Sequence, residues 1–174
     1  MRSVSGFIMG GGCPQREIRT PVPRRDLLAP TAKHYVTINA VETGRGCQHA
    51  CRYCSVTAFH RQNYRQRPVA DVIAELRGVP RDFIFVDDNI VRSPEYAREL
   101  FREMLPLRKR WVAQCSIEIA DDAELLQLAN AAGCRGLFIG IETVNADNLA
   151  SVGKQFNESG RYGERLSRIR RQGQ

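Results

Sequence analysis

The chain has 174 residues, of which 43% are hydrophobic, and a formal charge of +7, which suits one domain with a buried core. It has no run of the eighteen or so apolar residues that a membrane-spanning helix needs. The apolar part of its N-terminus, Phe7-Ile8-Met9, is too short for the core of a signal peptide, so the expected location is cytoplasmic. Of 26 basic residues only Lys33, Lys109 and Lys154 are lysine, and the scattered arginines read as a solvated surface rather than a nucleic-acid stripe.

Residues 1–33 hold Gly10-Gly11-Gly12 and four of the eight prolines with little apolar periodicity, so an irregular lead-in or linker is expected there. The domain proper, 34–174, then alternates strand and helix patterns. Residues 35–43, "YVTINAVET", alternate and are β-branched, as a strand does. Residues 68–77 carry apolar side chains at 69, 72, 73 and 76, the spacing of an amphipathic helix. Residues 82–88 predict a buried strand. Ser93-Pro94 then caps a helix with its apolar stripe at 97, 100, 101 and 104, running to Pro106. Residues 110–119 predict a third strand. Asp121 and Glu124 resemble a capping box for a helix over 122–132, which Gly133 ends. Residues 135–143 form a fourth expected strand, and a last amphipathic helix spans about 158–171.

This order argues for an α/β fold with about four parallel strands and helices outside them. The polar residues Glu42-Thr43, Asp87-Asp88-Asn89, Glu118 and Glu142-Thr143 fall at expected strand C-termini, the active-site rim of a β/α barrel. Four strands do not close a barrel. A truncated chain, or a partner chain that would complete the barrel, accounts for this.

Three of the six cysteines, Cys47, Cys51 and Cys54, share one loop after the first strand. Clustered thiols in a reducing compartment point to metal or redox ligation. Structural four-cysteine zinc sites use two separated pairs, and a second C-x2-C pair is missing. Three thiolates on a tight loop suit three irons of a [4Fe–4S] cluster and leave the fourth without a protein ligand. Packed or zinc-binding thiols are the bland alternative. The lone Cys13, Cys115 and Cys134 read as core or incidental residues, and His34, His49 and His60 have no metal-site spacing, with His49 an ordinary surface residue of the loop.

"GCQHACRYC", together with "CSVTAF", "FVDDNI", "SIEIADD" and "GCRGLFIGIET", resembles the radical S-adenosylmethionine (SAM) superfamily. The resemblance covers about residues 20–170 and is closest to the subgroup whose radical SAM domain follows a cobalamin-binding domain. It implies a partial (β/α) barrel of the radical SAM type, with Cys47, Cys51 and Cys54 ligating a [4Fe–4S] cluster whose open iron is chelated by SAM. It also implies Tyr53 beside the adenine, Asp87, Asp88 and Asn89 near the SAM amino group, and Ser116 and Glu142 toward its carboxylate and ribose. Reductive cleavage to a 5′-deoxyadenosyl radical, or methyl transfer in cobalamin-dependent members, is the implied chemistry. The implied partners are a small-molecule substrate and an electron donor such as a flavodoxin or ferredoxin, with any cobalamin held by a domain absent from this chain. Two other readings are a cluster-binding remnant without turnover and an RNA-modifying radical SAM methylthiotransferase. For Asp87 and Asp88 the bland alternative is a capping or turn pair, and for Glu142 a solvated strand end.

Overall fold

A computed structural model describes residues 16–34 and 39–172. Cys13, the triple glycine and residues 35–38 of the first expected strand lie outside the described residues. In chain order the elements are β1 (Arg16–Glu17), a 3-10 helix (Arg25–His34), β2 (Asn39–Val41), β3 (Gly44–Arg45), α1 (Ser55–His60), β4 (Arg65–Gln66) and α2 (Val69–Gly78). They continue with β5 (Asp82–Phe85), α3 (Pro94–Met104), β6 (Arg110–Gln114), a 3-10 turn (Ile117–Asp121), α4 (Ala123–Ala131), β7 (Cys134–Phe138), α5 (Ala146–Ser151) and α6 (Tyr162–Arg171).

Four strands form one sheet in the order β2-β5-β6-β7, every pair parallel. The register sets Val41 opposite Phe85, Phe85 opposite Ala113, and Ala113 opposite Leu137. All four chains therefore leave the sheet at nearly the same level, and the segments beyond those residues share one rim.

One sheet face is covered by helices. Phe83, Phe85, Trp111 and Ala113 are buried against Val72 and Leu76 of α2, Leu100 and Phe101 of α3 and Ala129 of α4. Trp111 stacks on Phe101 with ring centroids 5.1 Å apart and donates its indole N–H to the Ala132 carbonyl at 3.0 Å. Burying such an aromatic fully is worth about 2–3 kcal/mol. On the other face Ile84 and Val112 are only half-buried.

Helix starts follow the sequence signals with one correction. Ser93 caps α3, accepting from Tyr96 N at 3.5 Å with Pro94 behind it. At α4 the cap is Asp122, which accepts from Leu125 N at 2.9 Å, not Asp121. The Asp121 carboxylate is already held by Arg161 and Arg165 of the C-terminal segment.

The strands are shorter than their apolar patterns. β5, β6 and β7 stop at Phe85, Gln114 and Phe138. Glu118 therefore lies in a 3-10 turn, and Glu142 sits four residues beyond β7. Burial is the stronger signal in these runs, and residues past a strand end can be buried without joining the ladder.

Candidate functional site

The cysteine loop is fixed at both ends before any cysteine side chain is considered. Gly46 has φ +99°, and a Cβ there would lie 2.1 Å from the Asn63 carbonyl, so only glycine passes. Its N–H donates to Asp88 Oδ2 at 2.8 Å, which pins the loop to the end of β5. At the far end Cys54 is the N-cap residue of α1, and its N–H donates to Cys51 O at 3.1 Å. In the middle, Thr57 Oγ1 donates to the His49 carbonyl at 3.1 Å.

Cys47, Cys51 and Cys54 line one cleft of about 230 Å³ at the rim of the sheet. All three are free thiols, Cys51 buried and the other two half-buried. Burial pushes the Cys47 and Cys51 thiols up, more than neighbouring charges pull them down. Such thiols ionise when a metal is bound to them. Among the described residues no three His, Cys, Asp or Glu side chains converge on a single metal ion. Three free cysteines lining one cleft fit a group that spreads its bonds over several metal atoms.

The other expected residues divide into two sets. Tyr53, Asp88, Asn89, Ser116 and Glu142 line the same cleft. Asn89 Oδ1 accepts from Ser116 N at 3.1 Å and its Nδ2 donates to Ser116 Oγ at 3.3 Å, joining the rims of β5 and β6. Asp87 lies outside the cleft. At 2% exposure its carboxylate accepts from Thr43 Oγ1, Thr43 N and Gly44 N, so it holds the strand-to-loop turn. Burial raises its pKa to about 7, further than those three donors lower it.

Glu142 adopts φ +65°, left-handed for a residue with a Cβ. Its Oε1 accepts from Lys154 Nζ at 2.8 Å, and Lys154 Nζ also reaches Tyr53 Oη at 3.3 Å. Sequence reasoning missed Lys154. The usable signal was a lysine in a chain that otherwise relies on arginine. It also read His49 as an ordinary surface residue. His49 instead stacks on Phe156 at 3.6 Å between centroids, with its Nε2 2.9 Å from Glu118 Oε2, off the hydrogen-bond axis. Neither contact had a local signature, because Phe156 and Glu118 lie far along the chain.

Residues 41–171 match the Radical SAM superfamily. The chain belongs to that superfamily. Among relatives of this radical SAM chain, the bacteriochlorophyllide d C-12(1)-methyltransferase of Chlorobaculum tepidum is 32% identical over 143 residues, 78% of this chain and 31% of that protein. TsrM from Kitasatospora setae, a radical S-adenosylmethionine methyltransferase, superposes with TM-score 0.66 at 25% identity over 78% of this chain and 29% of its own. It has been solved with tryptophan and the SAM analogue aza-SAM, and with cobalamin and a [4Fe-4S] cluster. The cobalamin-dependent S-adenosylmethionine radical enzyme OxsB shares the fold at TM-score 0.74 and 16% identity, over 88% of this chain and 25% of its own. The chain thus spans under a third of the length of these relatives.

Proposed function

We propose that this chain is the cluster- and SAM-binding part of a methyl-transferring radical SAM enzyme. The observation that carries the reading is that three free cysteines line one cleft at the common rim of four parallel strands, beside Asn89, Ser116 and Glu142. Cys47, Cys51 and Cys54 would hold a [4Fe–4S] cluster. When bound, cluster and SAM together supply one-electron C–S bond cleavage or the donation of a methyl group.

The protein's own part is to bind, orient and shield. Asp88 presents a carboxylate acceptor of the kind an ammonium group needs, and Asn89 holds Ser116 beside it. Ser116 offers a hydroxyl for a carboxylate, and Glu142 an acceptor for ribose hydroxyls. Tyr53, 54% exposed at the mouth, offers an aromatic face to adenine. A small-molecule substrate and a reductant such as a flavodoxin or ferredoxin complete the reaction, with cobalamin as a candidate further cofactor.

Anaerobic reconstitution with iron and sulfide tests the reading. About four irons and four sulfides per chain are expected, together with a change in the reduced cluster's electron paramagnetic resonance (EPR) spectrum on adding SAM. Cys51→Ala should lose most of the iron, and full loading in that variant would remove the ligand assignment. Incubation with dithionite and SAM should then yield 5′-deoxyadenosine or S-adenosylhomocysteine. A loaded cluster with neither product would favour a cluster-binding chain that does not turn over.

A further inference from the structure

Lys154 is a cation fixed in the wall of the cysteine cleft. Its side chain is 11% exposed, and its backbone belongs to a short strap after α5 that is tied to the cysteine loop. Arg52 N donates to Val152 O at 2.9 Å. At Gly153 a Cβ would lie 3.2 Å from the Ala50 carbonyl and 3.9 Å from Cys51 Cα. Lys154 N donates to Leu149 O at 2.8 Å, and its carbonyl accepts from Asn157 N at 3.1 Å. Opposite, Glu142 holds a left-handed backbone (φ +65°), and its Oε1 accepts from the ammonium at 2.8 Å.

We propose that Lys154 and Glu142 form a charge pair that sets the reduction potential of the cluster held by Cys47, Cys51 and Cys54, with Lys154 raising it and Glu142 limiting the rise. The proposal rests on the cluster-binding function proposed above. Reduction adds one negative charge to the cluster. A nearby cation stabilises the reduced form and an anion opposes it, and the largely buried Lys154 is screened less than the exposed Glu142. Charge and hydrogen bonding near the thiolate sulfurs are among the levers that set such potentials. Lys154 stays protonated, because Glu142 and Tyr53 favour the ammonium by more than burial disfavours it.

The test is a dye-mediated dithionite titration of the reconstituted chain without SAM, with the reduced cluster followed by EPR. Lys154→Met should lower the midpoint potential, cutting the reduced-to-oxidised ratio about tenfold at fixed potential, or 59 mV for one electron. Glu142→Gln should raise it, and Lys154→Arg should keep the wild-type value. Opposite signs in the first two variants are the signature that a merely structural role would not give. Shifts of the same sign, or none, at wild-type iron content would overturn the proposal. If Lys154→Met fails to load iron, Glu142→Gln decides alone. If neither variant loads, the pair holds the loop rather than the potential, and the proposal is wrong. A wild-type chain without a reducible cluster signal would instead remove the function on which the proposal rests.

Discussion

Asp87 takes three hydrogen bonds from Thr43 and Gly44 while its carboxyl is nearly removed from water. Burial raises its pKa from 3.8 to about 7, so the folded chain binds a proton that the unfolded chain has released across that range. The sign follows: this group's contribution to stability is greatest below the unfolded value and is lost as pH rises through the folded one. Each unit is about 1.4 kcal/mol, so the whole window is worth roughly 4 kcal/mol. Thermal unfolding between pH 5 and 8 should show the melting temperature of the wild-type chain falling as pH rises, with a flatter profile for Asp87→Asn. Matching slopes would show that Asp87 does not titrate there. Asp87, Asp88 and Asn89 are consecutive after a strand, and the sequence marks the trio without distinguishing its members. Which one faces the rim depends on how the chain turns after Phe85, a tertiary fact.

At the scale of elements, the lead-in departs furthest from its pattern. Residues 25–33, expected to be irregular, lie in a 3-10 helix (Arg25–His34), held by a half-buried arginine and a buried ion pair that no local signal announces. Arg25 donates to the Ala40 carbonyl at 2.6 Å and to Glu75 Oε1 at 2.5 Å, and Glu75 Oε2 accepts from Arg67 at 2.7 Å. Glu75 and Arg67 expose only 1% and 4% of their side chains. Glu75→Ala leaves Arg67 buried without its counter-ion, a loss of about 3–5 kcal/mol. The expected result is a fall in melting temperature on the order of 10 °C for a domain of this size. Faster tryptic cleavage at Arg24-Arg25 should accompany it. An unchanged melting temperature would mean that these ion pairs do not anchor the segment. By contrast α2, α3 and α4 were legible, since each carries its own apolar stripe and α3 its cap. The short helices α1 and α5 and the two-residue strands β1, β3 and β4 have too few turns or alternations to show a period.

Across the whole molecule the parallel sense and the shared rim could be read from the alternation of strand and helix patterns, because parallel strands need crossovers. Side-chain traffic between distant segments could not, and the arginines show this best. Ten of them pair with carboxylates. The local basic clusters are divided by these pairs: Arg24 goes to Asp26, Arg25 to Glu75, Arg110 to Asp82 and Arg168 to Glu164. The buried Arg165 is shared among Asp121, Glu158 and the Phe156 and Asn157 carbonyls, which ties α6 to the segment that stacks on His49. With these ten arginines neutralised, the excess charge of +7 is scattered along the chain rather than gathered in a stripe, which gives little counterion release on a polyanion, and that release drives non-specific nucleic-acid affinity. Single-stranded RNA, followed by fluorescence anisotropy, should therefore show no saturable binding at about 200 mM salt. Saturable binding whose logarithm falls linearly with the logarithm of salt would instead restore an RNA substrate for the cysteine cleft, with the slope counting the phosphates engaged.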